Sequence, residues 1–276
     1  MNIEKIYDNL SARSVINSGN SVKIKTGMFT ESDLINVFSG VNELYLRIDK
    51  DGLIEFMNTL LPKIFQLSPK DEFNHMIDIF NLLQSEINQY YGTTEQENRL
   101  TFYINNGIKT NDEDVRICSM SQIKGKGFAK CAEKASLANN VLLMLNNMGL
   151  FDYQVNYLNA LTTMSNGLPE GHAFLEFRRI NINGKITHIV YDVTNPEIVL
   201  LNDKEYFYPA IYSLTDEEYK SFLNGIPFDN NKFIMANYLQ TKETRMYQSF
   251  SKSNDYDDSL KSFREECKND GRTNKL

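Results

Sequence analysis

Tryptophan is absent from the 276 residues, and cysteine and histidine each occur only three times. Without tryptophan, no indole N–H is available to any site in the chain. The cysteines, Cys118, Cys131 and Cys267, are unevenly spaced and form no zinc-like pair, so no metal is expected. The N-terminus lacks a basic start followed by an apolar stretch, so no secretory signal is read. Together with an odd cysteine count, this predicts free thiols in a reducing, cytoplasmic setting. Apolar runs such as "VLLML" are far too short to span a bilayer, so no membrane partner is expected. Neither a glycine-rich phosphate loop nor an internal repeat occurs, and no cofactor is expected. Positive charge is scarce: 29 Lys and Arg against 36 Asp and Glu give a net charge of -7 and a pI near 5.2. Nucleic acid is therefore not expected as the main partner.

What remains is an ordinary globular composition, 41% hydrophobic and 24% charged, with ample length for a core. Residues 1–115 read as a mainly helical region, serving as scaffold or substrate-recognition surface. "TESDLINVFSGV" opens with Thr30 and Asp33 in capping-box spacing, which predicts a helix start. In "SPKDEFNHMIDIFNLLQSEINQYYG", Ser68 is the expected cap, Pro69 the first helical residue and Gly92 the stop. Phe73, Met76, Ile77, Phe80, Leu83 and Ile87 recur at steps of three and four along it. Pro62 is expected to kink or break the helix before it. "LTFYI" reads as a short strand and the following "NNG" as a turn.

Residues 116–250 read as a second region. A helix begins at Cys131 and ends near Gly149. "GHAFLEFRRI" and "KITHIVYDVT" read as strands joined through Asn183-Gly184, a hairpin signal, and "EIVLL" as a further strand. "TDEEYKSFLNG" reads as a short helix with Thr215 as cap, Glu218 at the third position and Gly225 as stop. Residues 251–276 are a polar tail. The order of elements gives an α+β fold in which a cysteine-bearing helix packs on an antiparallel sheet.

Cys131 shares a helical stripe with Ala135, Ala138, Leu142 and Leu145 and lies in the first turn, where free amides and the dipole favour an anion. Such a position, beside an imidazolium, activates a thiol. Gly125 and Gly127 before it read as room for a substrate backbone. A cysteine nucleophile needs a base, and the base needs an acceptor that fixes its tautomer. His172 and Asp192 are the candidates. A two-residue turn would pair residue 182 with 185 and put His172 and Asp192 on opposite sheet faces. A three-residue loop with Gly184 left-handed pairs 181 with 185 and puts both on one face, turned toward the cysteine helix. That register also gathers Ala173, Leu175, Phe177, Ile189, Tyr191 and Val193 into one apolar surface, and such segregation favours it. The competing readings are an inert core thiol, a histidine that ends a loop and an aspartate that caps the turn at Thr194-Asn195-Pro196. His188 is a rival base with an expected structural role, and His75 falls between Phe73 and Met76 on a helix as a surface or boundary residue.

At these residues the chain resembles the transglutaminase-like superfamily of papain-type cysteine enzymes. The family pattern is a glycine-preceded cysteine starting a helix, then "HA" on a strand, then "D.T" on the next. Here these are Gly127 to Cys131, "GHAFLEF" and "DVTNP", within about residues 120–200. The resemblance implies Cys131 as nucleophile, His172 as base and acid, and Asp192 as the group that orients the imidazole. It implies acyl transfer or hydrolysis at a carboxamide or peptide bond of a protein or peptide substrate, through a thioester. Protease, glutamine deamidase and transglutaminase chemistries all fit. Ala132 and Phe174 stand where the family often carries tryptophan, which leaves the Cys131 amide and the Gln122 side chain as candidate oxyanion donors. The alternative is a protein-binding module built on an inactive version of the fold.

Overall fold

A computed structural model describes residues 2–11, 15–18, 22–38, 43–68, 72–109, 116–163, 169–180, 183–201 and 204–224. The tail at 251–276, Cys267, Pro69 and Gly225 lie outside the described residues.

The fold is α+β. Six strands form an antiparallel sheet in the order β1 (Val15–Ser18), β2 (Val22–Thr26), β7 (Gln154–Thr163), β8 (Pro169–Ile180), β9 (Ile186–Leu201) and β10 (Lys204–Leu214). A second sheet has the order β3 (Ile35–Phe38), β4 (Leu44–Arg47), β6 (Arg116–Ser119) and β5 (Ile108–Lys109), with β4 and β6 parallel. The described helices are α1 (Ile3–Ser11), α2 (Lys50–Phe65), α3 (Glu72–Tyr91), α4 (Arg99–Asn106), α5 (Cys131–Asn147) and α6 (Asp216–Leu223). None of them is long and apolar enough to cross a membrane.

Residues 1–115, expected to be mainly helical, therefore also contribute five strands. β2 hydrogen-bonds to β7, so the N-terminal hairpin completes the main sheet. Tyr7, Phe80, Ala135 and Tyr191 belong to one cluster of buried side chains, so residues on either side of position 115 share a core.

Several local expectations give way to tertiary structure. Thr30 and Asp33 do meet, with the Thr30 N–H and hydroxyl both donating to Asp33 Oδ2 at 2.7 and 2.9 Å. The contact closes a turn that feeds β3 rather than a helix. Pro62 sits inside α2 without ending it. Asn58, whose carbonyl loses its helical partner, is exposed and open to water, while Leu60, Leu61 and Ile64 hold the buried face. "LTFYI" is helical within α4: Asn98 Oδ1 accepts from Thr101 N at 3.2 Å, and Phe102 and Tyr103 are buried. "KITHIVYDVT" and "EIVLL" form one long strand, β9, with a register shift against β10 between Pro209 and Ala210. α3 is described from Glu72 on, its expected first residue Pro69 lying outside the described part, and it stops as expected at Gly92, which adopts φ +85.

The hairpin between β8 and β9 takes the register of the three-residue loop. Leu175 pairs with Tyr191 and Ile180 with Ile186, and Gly184 is left-handed at φ +75. Residues 181 and 182 lie outside the described part. In this register Ala173, Leu175, Phe177, Ile189, Tyr191 and Val193 enter the main core with Ala135, Ala138 and Leu142 of α5. Phe174 and Val190, on the opposite face, enter a second cluster with Leu158, Leu214 and Tyr219 of α6. One expectation is corrected here. The body of α5 lies on the apolar face, and His172 and Asp192 alternate onto the face covered by α6. Cys131 meets them because it is the first residue of α5 and stands at the helix tip.

Candidate functional site

The N-terminus of α5 is fixed from below by a buried ion pair. Glu133 is fully buried in the first turn and pairs with Arg99 of α4. Arg99 also donates to the Val37 carbonyl at 2.8 Å, and Glu133 Oε2 accepts from the Lys130 N–H at 3.2 Å. A carboxylate at the third helical position satisfies a free amide and suits the helix dipole. The sequence signal was half a capping box, Lys130 to Glu133, without a Ser or Thr cap. Arg99 was hidden because it borders a stretch that reads as strand.

The loop ahead of Cys131 is held by the chain itself. Gly125 N donates to Tyr90 O and Gly127 N to Tyr91 O, both at 2.8 Å. A Cβ on Gly127, at φ +81, would lie 1.9 Å from the Thr94 carbonyl oxygen. Gly127 is thus required by the passage of residues 94–95, a different reason from the expected approach of a substrate backbone. Gln122, a candidate oxyanion donor, is engaged through Oε1 with the Ser119 N–H at 2.8 Å in the turn after β6.

Cys131, His172 and Asp192 come together from three elements. His172 Nε2 lies 2.7 Å from Asp192 Oδ2, a normal hydrogen-bond distance. The Cys131 thiol lies close enough to His172 to bear on the charge of the imidazole, and its Sγ is 4.0 Å from the carbonyl of Gly171, the residue before the histidine. With Nε2 taken by Asp192, Nδ1 is the ring nitrogen left for sulfur. All three side chains are half-buried, so the cluster borders solvent. Burial works against an imidazolium here, but the Asp192 carboxylate and the thiol outweigh it and hold the His172 pKa well above the ordinary 6.5.

Asp192 does two jobs. While Oδ2 faces His172, Oδ1 accepts from the Thr194 N–H at 2.8 Å. The turn-capping reading and the imidazole-orienting geometry hold together, one oxygen each. This cap sits where β9 bulges: Asp192 still pairs with Ala210, but the next pair is Pro196 with Pro209.

The other candidates fall elsewhere. His188, the rival base, has Nδ1 2.6 Å from Glu176 Oε1 and Nε2 3.2 Å from Asp216 Oδ1, so both nitrogens are engaged away from sulfur. His75 is half-buried on α3, as expected for a boundary residue. Cys118 is fully buried on β6, where burial pushes its thiol up to about 11. Tyr157 on β7 went unnoticed because its strand mixes Asn with apolar residues. Its hydroxyl is buried, and burial, then the charges of Cys131 and Glu133, raise its pKa, so it stays a neutral phenol.

Comparison with protein-family models, with curated proteins and with solved structures finds no match for this chain.

Proposed function

We propose that the protein is a cysteine-dependent acyl-transfer or hydrolytic enzyme acting on a carboxamide or peptide bond, with a transglutaminase-like, papain-type core. The observation that carries this reading is the convergence of Cys131, at a helix N-terminus with its Sγ 4.0 Å from the Gly171 carbonyl, on His172, whose Nε2 is 2.7 Å from Asp192. A thiol, an imidazole and a carboxylate in that order are what nucleophilic catalysis requires.

In the proposed cycle, Asp192 accepts the Nε2–H of His172 and leaves Nδ1 facing sulfur. His172 takes the thiol proton as Cys131 Sγ attacks the carbonyl carbon. The oxyanion is stabilised by the Cys131 backbone N–H, a free amide of the α5 first turn. The imidazolium then gives its proton to the departing ammonia or amine, and a thioester remains. Water activated by His172 completes hydrolysis or deamidation, whereas a primary amine completes transamidation. A raised His172 pKa suits this role, because it favours the proton arriving on the ring. The free thiol fits a reducing, cytoplasmic setting.

Intact-mass spectrometry after incubation with glutamine-containing peptides, with and without a primary amine, tests the proposal. Deamidated, amine-adducted or cleaved peptide is expected from the wild-type chain and none from Cys131→Ala. Equal product from both proteins would remove Cys131 from the chemistry. Peptide bound but unchanged by either would favour a binding module.

A further inference from the structure

We propose that α6 belongs to the site, setting the orientation of the His172 ring through Phe174 and Phe222, which are positioning residues. The inference rests on the function proposed above and concerns the same imidazole.

The single hydrogen bond from Nε2 to Asp192 fixes one point of the ring and leaves its plane free to swing. The plane is fixed from the side. Phe174 follows His172 by two residues on the same sheet face, and the two rings stack with centroids 5.9 Å apart at 28°. Phe174 is buried and is itself backed by Phe222 of α6, with centroids 5.6 Å apart. Phe222 lies 6.4 Å from Tyr219, whose ring stacks on His188 at 4.0 Å and 15°. An aromatic row thus runs from α6 to the candidate base.

The helix that carries this row is fastened at its start. Thr215 and Glu218 form a complete capping box, with the Thr215 N–H donating to Glu218 Oε2 at 2.8 Å. Asp216 Oδ1 is 3.2 Å from His188 Nε2, and His188 is in turn held by buried Glu176 at 2.6 Å. Glu176 accepts from Asn156 at 2.6 Å, and Asn156 accepts from Thr26 at 3.0 Å. This polar chain, buried at its centre, leads away from sulfur, yet it ties α6 to four strands of the sheet, β9, β8, β7 and β2. A helix needed only to cover apolar surface would not require an acid–imidazole–acid anchor, which is costly to bury. An anchor is expected where the helix must hold a fixed place, as it must to keep Phe222 behind Phe174.

The test uses the full chain, p-nitrophenyl acetate as acyl donor and NMR of protein labelled with 15N-histidine. Phe222→Ala is expected to slow acylation about tenfold or more at unchanged KM and to move the ring resonances of His172 but not those of His75. Phe222→Tyr, which keeps the ring, is expected to restore both. Asp216→Asn, which loosens the anchor and leaves the stack intact, is expected to give a smaller change in the same direction. A wild-type rate in folded Phe222→Ala overturns the proposal. So does a rate loss that only tracks lost folded population, with His172 resonances unmoved. Wild-type protein acylated no faster than Cys131→Ala would instead overturn the enzymatic function, leaving nothing to position.

Discussion

The two faces of the six-stranded sheet are built on different terms. The face under α3 and α5 is apolar almost without interruption, with Phe80 stacked on Tyr191 at 4.5 Å and Leu175 and Val155 fully buried. The face under α6 mixes Phe174, Val190 and Leu158 with buried Glu176 and His188 and with the His172–Asp192 pair. Burying those polar groups is costly unless each finds a partner, and each does. The apolar face is explained by stability alone. The mixed face is where the chain tolerates polar burial, and that is where its candidate chemistry lies.

The comparison breaks most sharply under substitution of the cluster itself. Cys131→Ala and His172→Ala are each expected to lower acyl transfer by about 10⁴-fold or more, because nucleophile and base act as one unit. Both side chains are half-buried, so thermal unfolding should change little. Asp192→Asn is the finer probe. The asparagine carbonyl keeps the Thr194 cap, but its amide faces Nε2 and favours the wrong imidazole tautomer, with an expected loss on the order of 10²- to 10⁴-fold. A wild-type rate in that variant would leave Asp192 only its turn-capping job.

Stability changes should then separate the faces. Leu175→Ala removes a fully buried side chain from the apolar face and is expected to cost about 2–5 kcal/mol. One position along on the other face, Glu176→Ala is expected to cost a comparable ~3–5 kcal/mol, although it removes no apolar group. The loss there is one of partners, since Asn156 Nδ2 and His188 Nδ1 lose the carboxylate between them. Urea unfolding of both variants checks this. A near-neutral Glu176→Ala would mean that the polar chain is incidental to the fold.

Much of the site could be read from the sequence, and for a physical reason. A cysteine at a helix start, and two strands whose apolar sets segregate in only one register, are local patterns, so the grouping of Cys131, His172 and Asp192 and the pairing of β8 with β9 were legible. What lay hidden depended on partners distant in sequence. β1 and β2 carry Asn, Ser and Lys and become strands by pairing with each other and, through β2, with β7. α4 is rich in residues that favour strands, yet the Asn98 cap and the burial of Phe102 and Tyr103 make it helical. Which sheet face α5 covers was misjudged, since alternation separates two faces without saying which one a helix takes. The Arg99–Glu133 pair, 34 residues apart, left no local trace.

The pH response of the pair at the site is a smaller effect with a definite sign. His172 has its pKa raised above 6.5, so the interaction contributes stability that is fully present below pH 6.5 and is lost as pH rises through the raised folded-state value. Unfolding free energy is therefore expected to fall on the alkaline side of neutrality. Asp192→Asn should flatten that slope, because the carboxylate is the main group favouring the imidazolium. Parallel slopes in the two proteins would show that His172 is not coupled to Asp192.

The smallest expected effect lies at the start of α6 and has the opposite sign. Lys220, four residues on at 2.5 Å, and then His188 hold the Asp216 carboxyl below its ordinary 3.8. A depressed carboxyl contributes stability above 3.8 that is lost as pH falls through its folded-state value. The group is only partly covered, so solvent keeps the contribution slight and global unfolding is a poor probe. Local opening is a better one. Amide hydrogen exchange along residues 216–223, corrected for the intrinsic dependence on pH, should accelerate as acid protonates Asp216, while exchange in α5 stays level. In Asp216→Asn, α6 should exchange faster at neutral pH and respond less to acid. If both helices loosen together in acid, α6 is no separately fastened element, and the contrast between the two faces fails at its most electrostatic point.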